Sequence, residues 1–305
     1  MDIKVKSHLK PCAAVSIAIM IVALVMTLTG HGMNLGVDFT GGTIMTYNMG
    51  EQFETADVEK VLADNGISDA QIAKTGVKVT QSKQLPYAYY LEQVDHIDDL
   101  PGYAQGSFFM QDIGSMQVVE LAGIKPGDAV IDVCAAPGGK AMHALAKLHG
   151  KGSVQARDLT ENKVSMIEEN IERCAGAADT IEVLVWDARI LDPQAVEKAD
   201  VVIADLPCSG LGVIGRKSDI KYRMTPEQVA DIAALQREIL SVVWQYVKPG
   251  GILMYSTCTL TKAENQDNRD WFLENSPFTL LEEKELLPSA ETDGFYMIKC
   301  RRNKA

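Results

Sequence analysis

Residues 128–305 predict an α/β fold, a doubly wound, Rossmann-like sheet with helices on both faces. Three observations carry this. Short apolar runs alternate with helix-patterned stretches from Ala129 onward, which is how a parallel sheet covered by helices reads in sequence. The first run, AVIDVC (129–134), ends in a tight turn of small residues before a helix that begins near Lys140. Gly138 and Gly139 let the backbone approach a ligand there, and the helix start leaves N–H groups free to bind it. Acids stand at or just past the ends of later strands, at Asp158, Asp187 and Asp205, on the edge where such a sheet places its ligand.

The whole chain has 305 residues, 47% hydrophobic and 23% charged, enough for one large or two modest domains. A net charge of −12 gives no global basic field, so any nucleic-acid contact must come from a local patch. The six cysteines, Cys12, Cys134, Cys174, Cys208, Cys258 and Cys300, are scattered without a C-x-x-C pair. That pattern argues against a zinc ribbon or a disulfide-stapled mini-fold and for reduced, cytoplasmic thiols. No metal site is expected.

The amino terminus reads differently. Lys4, Lys6 and Lys10 precede CAAVSIAIMIVALVMTLT (12–29), an uncharged apolar run whose length of about 18 residues sits at the lower edge for a transmembrane helix. No clear cleavage site follows, so a membrane anchor is expected rather than a removed signal, with a buried core helix as the alternative. Lysines before the run, and none after it until Lys60, predict the N-terminus inside and the remainder outside. Next comes GMNLGVDFTGGTIMTY (32–47), which resembles the start of SecF, a membrane subunit of protein export. The G-V-D-F-T-G-G-T run, Gly36–Thr43, matches that family's signature, and Thr55–Gly76 is similar to the opening of its periplasmic domain. The further membrane helices of SecF are missing, so residues 1–76 read as a SecF-like fragment.

From Val77 the text changes. Residues 77–127 read as a lead-in, with a helix over Asp112–Ala122 and a turn at Lys125–Asp128 feeding the first strand. Then follow a helix from Lys140 to His149, strand SVQARD (153–158), helix Glu161–Ala175, strand IEVLV (181–185) and strand ADVVIADLPC (199–208). A long helix over Pro226–Val247 precedes Lys248-Pro249-Gly250-Gly251, strand ILMYSTC (252–258), and a last edge strand over Gly294–Arg301.

The turn Cys134-Ala135-Ala136-Pro137-Gly138-Gly139-Lys140 has neither the dinucleotide G-x-G-x-x-G pattern nor a phosphate-cradling G-x-x-x-x-G-K-[ST]. Asp158 follows it by about 20 residues, the spacing at which an acid reaches ribose hydroxyls. Cys208 in DLPCSG and Cys258 in YSTCTL each stand at the end of a core strand. A free cysteine is ordinarily a small hydrophobe, as expected for Cys134, Cys174 and Cys300. Two thiols on one ligand edge point instead to covalent catalysis, in which a thiolate adding to C6 of a pyrimidine makes C5 nucleophilic.

DVCAAPGGK, DLPCSGLGVIGRKSDIKYR and YSTCTLTKAEN together resemble the Sun/RsmB-type RNA cytosine-5 methyltransferases, among them the bacterial 16S rRNA enzyme. The resemblance implies a class I methyltransferase domain over 128–305 that binds S-adenosylmethionine through the 134–140 turn, Asp158 and Asp187, with Asp205 at both cofactor and target cytosine. It further implies Cys258 as nucleophile and Cys208 as the thiol that assists product release. Arg216, Lys217, Lys221 and Arg223, with Lys299, Arg301, Arg302 and Lys304 at the end, are the basic residues placed to meet RNA. The family's amino-terminal RNA-binding helical domain is replaced by the SecF-like piece. An outward-facing enzyme would be cut off from cofactor and RNA, so the juxtaposition reads as a fusion or an artefact of sequence assembly. Rival readings are a membrane-anchored export accessory with an inert sheet domain, and a methyltransferase acting on tRNA.

Overall fold

The computed structural model of the protein describes residues 43–47, 78–92, 94, 96–100, 102–175, 180–289 and 292–304. The expected membrane anchor over 12–29, and all of the SecF-like segment apart from Thr43–Tyr47, lie outside these residues. Among the described residues no helix is long and apolar enough to cross a membrane.

Two sheets form. The smaller has four antiparallel strands in the order β2-β3-β1-β4, where β1 is Thr43–Tyr47, β2 Lys78–Gln81, β3 Ala88–Glu92 and β4 Phe108–Met110. Strand β1, from the SecF-like signature, is an inner strand, pairing Thr43 with Leu91 on one side and Met45 with Met110 on the other. Helix α1 (Ile113–Ala122) follows, capped by the Asp112 carboxylate, which accepts from Gly114 N at 2.8 Å, and closed by Gly123 in the left-handed region.

The larger sheet contains β5 (Ala129–Asp132), β6 (Ser153–Asp158), β7 (Ile181–Val185), β8 (Ala199–Asp205), β9 (Val247–Thr257), β10 (Phe278–Leu286) and β11 (Phe295–Arg302), in the order β10-β11-β9-β8-β5-β6-β7. Strands β5 to β9 are mutually parallel, and β11 and β10 run antiparallel at one side. The intervening helices are α2 (Gly139–Lys147), α3 (Glu161–Ala175), α4 (Ile220–Arg223), α5 (Pro226–Val243) and α6 (Gln266–Asn275). Strand residues alternate between two cores. Val130, Val201 and Ile203 pack with residues of α1, α2 and α3, whereas Ile131, Val202 and Ala204 pack with residues of α5 and α6. Val202 and Ile203 are fully buried, each contributing roughly 1.5–3 kcal/mol relative to exposure.

Three boundaries differ from the sequence expectation. The helix starting at Pro226, held by a Thr225–Gln228 capping box, ends at Val243 and tightens into a 3-10 turn over Trp244–Tyr246. Lys248–Gly251 belongs to β9, whose pairing with β8 slips between Ala199 and Val201 to absorb it as a bulge. The terminal strand is not the edge. It lies between β9 and β10, and β10 (FTLLEEKEL) is the edge, its exposed charges making it a poor template for further pairing.

Candidate active site

The parallel strands deliver their chemistry to one edge. At the β5/β8 junction chain connections diverge to opposite sides of the sheet, which is where such a sheet places its ligand. Asp205 at the end of β8 is in register with Ser256 near the end of β9. Residues just beyond these ends therefore meet, and Cys208 Sγ lies 3.0 Å from Cys258 Sγ. Asp205 accepts from Lys140 Nζ at 2.5 Å and from Ser256 Oγ at 2.7 Å. Lys140 also sits 5.7 Å from the centre of the Phe295 ring.

The two thiols are not equivalent. Cys208's hydrogen bond to Cys258, helped by the Lys140 ammonium, draws the Cys258 pKa below the ordinary thiol value against burial and the Asp205 charge. Cys208 moves the other way, raised by that same bond and by burial. Of the two sulfurs, Cys258 is the one whose surroundings favour ionisation and Cys208 the one whose surroundings oppose it. Burial pulls the Lys140 pKa down, but the contacting Asp205 carboxylate and nearby Asp132 leave it raised and the amine charged.

The 134–140 turn is fixed from below. Asp158, nearly fully buried, accepts from Ala136 N at 3.0 Å and Leu159 N at 2.7 Å, and pairs with Lys163 at 3.0 Å. Ala135 N donates to Arg157 O at 2.8 Å. Gly138 adopts φ +106° with a would-be Cβ 3.3 Å from Ile167, so the turn needs glycine for its backbone and for helix packing. Pro137 follows a cis peptide bond, and Gly139 opens α2. Burial pushes the Cys134 thiol up, which keeps it an inert hydrophobe.

Asp187 stands beyond β7, where Trp186 N bonds Asp158 O, and its carboxylate is gripped by Arg189, with Nη2 at 2.7 Å. Of the basic residues, Arg216 is engaged in intramolecular pairs, 3.2 Å from both Asp112 and Asp293. Lys217, Lys221 and Arg223 are exposed, with Arg223 paired to Asp219. Arg302 is bound by Glu197 and by Val247 O.

Sequence reasoning passed over Asp132, although the residue stood inside the quoted motif. Its carboxylate is 1% exposed at the end of β5, where no side chain donates to either oxygen and the Cys134 backbone N–H is its polar neighbour. Burial raises its pKa to about 7. A buried acid at this strand end with no side-chain donor fits the α-ammonium of an amino-acid-bearing ligand.

Strand order, the glycine turn and the acids at strand ends define a Rossmann-like methyltransferase. The family model for the 16S rRNA methyltransferase RsmB/F matches residues 119–300, and the chain belongs to that family. A second family model, the SecD/SecF GG motif, matches residues 27–49, in agreement with the SecF-like signature. The chain is 36% identical over 238 residues to ribosomal RNA small subunit methyltransferase B of Vibrio cholerae, covering 74% of this chain and 54% of that protein. It is also 36% identical over 224 residues to the protein of the same name from Cronobacter sakazakii, covering 70% and 51%. The chain thus spans about half the length of these curated relatives. Among solved structures, NSun6 from Pyrococcus horikoshii with SFG superposes with a TM-score of 0.74 at 20% identity, covering 92% of this chain and 97% of that one. That likeness concerns the fold. Family membership makes S-adenosylmethionine the cofactor, and the Asp132 carboxylate beside the glycine turn, with no side-chain donor, is a fit for it.

Proposed function

We propose that the protein transfers a methyl group to C5 of a cytosine in RNA, with small-subunit rRNA as the target. The paired thiols at 3.0 Å, flanked by the Lys140–Asp205 ion pair, carry this reading. Cysteine chemistry on a pyrimidine needs a thiolate, and the lowered Cys258 pKa makes this sulfur the attacker. Its addition at C6 moves the ring electrons toward C5, while Asp205, neutralised by Lys140, holds the polar edge of the base. S-adenosylmethionine supplies an electrophilic methyl group. C5 would accept the methyl, leaving S-adenosylhomocysteine, a solvent water would take the C5 proton, and elimination would expel Cys258 as thiolate, with Cys208 the adjacent thiol that assists this release. To reach the thiols the base must leave its stack, at a cost of a few kcal/mol.

The cofactor would be held by the 134–140 turn, with Asp158 on the ribose hydroxyls, Asp187 toward the adenine and Asp132 on the ammonium. Lys217, Lys221 and Arg223 are exposed side chains that could follow an RNA backbone, Arg223 only by giving up its surface pair with Asp219. The relatives' printed name favours rRNA over tRNA. Residues 77–305 form the catalytic unit in this reading.

The test is a pair of cysteine variants. Cys258→Ala should abolish both methyl transfer and any covalent RNA adduct. Cys208→Ala should instead accumulate enzyme on methylated RNA as a complex that survives denaturing electrophoresis. An adduct building up in Cys258→Ala would reverse the two roles.

A further inference from the structure

Two adjacent residues, Glu264 and Asn265, lie past the Cys258 strand end, both fully buried. The Glu264 carboxylate accepts from Ser209 N at 2.8 Å, Ser209 Oγ at 2.5 Å, Thr261 Oγ1 at 2.7 Å and Gln236 Nε2 at 3.1 Å. Every one of these donors is neutral. A buried carboxylate is costly to desolvate, and full use of both oxygens by hydrogen bonds is what makes it tolerable.

The placement of those bonds is specific. Ser209 follows Cys208, and Gln236 also donates to Pro207 O at 2.8 Å, so the Cys208 loop is pinned on both sides of its thiol. Asn265 does the same for Cys258. Its Oδ1 accepts from Thr257 Oγ1 at 2.6 Å, and its Nδ2 donates to Thr259 O at 2.9 Å. The two clamps are joined. Ser209 Oγ gives its only proton to Glu264, so the 2.8 Å contact with Thr259 Oγ1 has Thr259 as donor. A hydrogen-bond chain therefore runs from the residue after Cys258, through the residue after Cys208, to Glu264.

We infer that Glu264 and Asn265 are positioning residues that hold the two cysteine loops in one register and so set the separation of the thiols. Neither touches the reacting sulfurs. Each brackets one of them through its chain neighbours, and the covalent link between the two residues couples the brackets. The inference deepens the methyl-transfer reading and rests on it for its kinetic consequence, but not for its geometric one.

The geometric consequence is tested without RNA. Phenylarsine oxide bridges two thiols held close together, and bridging gains strongly from the second sulfur's high effective concentration. The native protein should lose two titratable thiols to one arsenical, and Cys208→Ala should lose this bridging. Glu264→Ala should weaken bridging by roughly tenfold or more as the second thiol loses its fixed position, with S-adenosylhomocysteine affinity retained because Asp132, Asp158 and the glycine turn are elsewhere. On RNA, the same variant should lower kcat with little change in KM. Glu264→Gln keeps an acceptor for Ser209 N and Gln236, and both hydroxyls can turn to accept from its amide, so it should restore most of both losses. Asn265→Ala should behave like Glu264→Ala. A Glu264→Ala protein that binds S-adenosylhomocysteine normally and still bridges the arsenical like the native protein overturns the inference. So does failure of Glu264→Gln to rescue, which would make the charge, not the position, the operative feature. Normal arsenical bridging in a native protein that methylates no cytosine would sink the methyl-transfer reading and leave the positioning role standing.

Discussion

Asp132 gives the cofactor site a pH dependence that can be worked out in advance. Its carboxyl is buried with no side-chain hydrogen-bond donor, and its pKa is raised to about 7. A ligand ammonium can pair only with the ionised form, so binding must drive off the proton wherever the free protein is protonated. Affinity for S-adenosylhomocysteine should therefore climb with pH up to about 7 and then level off. At pH 6 about one molecule in ten is ionised, which weakens binding roughly tenfold, or about 1.4 kcal/mol. The apo protein should show the opposite trend in stability. The unfolded carboxyl ionises near its ordinary value of 3.8 and the folded one near 7, so rising pH favours the unfolded state across that window. The cost reaches about 4 kcal/mol above pH 7. Asp132→Asn should raise Tm at pH 8, more than at pH 5, and should flatten the affinity profile. Titration calorimetry in buffers of different ionisation enthalpy would count the released proton. A native profile that is flat between pH 5.5 and 8.5, or an Asp132→Asn profile that keeps its slope, would refute the assignment.

Asp158→Ala removes the acceptor for Ala136 N and for the ribose hydroxyls, and S-adenosylhomocysteine affinity should fall by about 1.5–3 kcal/mol in calorimetry; unchanged affinity in a folded variant would discard that role. Neutralising Lys217, Lys221 and Arg223 together should leave cofactor binding intact and flatten the salt dependence of RNA affinity by roughly 0.7 for each phosphate no longer engaged. Arg216→Ala should act on thermal stability more than on that slope, because its charge already serves Asp112 and Asp293. A chain starting at Val77 should still bind cofactor, since β5 to β11 all lie downstream, while hydrogen exchange in β3 and β4 should accelerate for want of β1 between them. Protected β3 and β4 amides in that shortened chain would contradict the pairing.

The parallel strands were legible because each is a short run of β-branched and apolar residues, and the alternation with helices implied that they run parallel, though not their order in the sheet. Strand β10 was not. Five of its nine residues, in FTLLEEKEL, are the polar Thr279, Glu282, Glu283, Lys284 and Glu285, because an edge strand facing solvent has little need of an apolar alternation. The Lys248–Gly251 stretch carries Pro and two glycines and reads as a turn, yet the same residues suit a bulge. The pairing of Cys208 and Cys258 was legible from their motifs and from their common placement at strand ends. Which basic residues remain free was not, since the partners of Arg216 lie 104 and 77 positions away in sequence. Pairings of that separation leave no local trace.

Asp132 and Glu264 were missed for a shared reason. In sequence each is one acid near a motif, and an acid near a motif is ordinarily a cap or a solvated charge. Burial alone separates them from that class, and their hydrogen bonding separates them from each other. Glu264 has both oxygens engaged by neutral donors, which marks a structural clamp with nothing left to offer a ligand. Asp132 has no side-chain donor on either oxygen, which leaves it able to take a ligand's ammonium. The same distinction applies to the thiols. Cys134 and Cys258 both stand just past the end of an apolar strand with an ammonium nearby, but only Cys258 has a thiol hydrogen bond that lowers its pKa, whereas burial and the charges of Asp158 and Asp132 outweigh Lys163 and raise that of Cys134. What separates the two thiols is the neighbour across the β8–β9 junction, Cys208 at 3.0 Å from Cys258 and, among the described residues, nothing comparable beside Cys134.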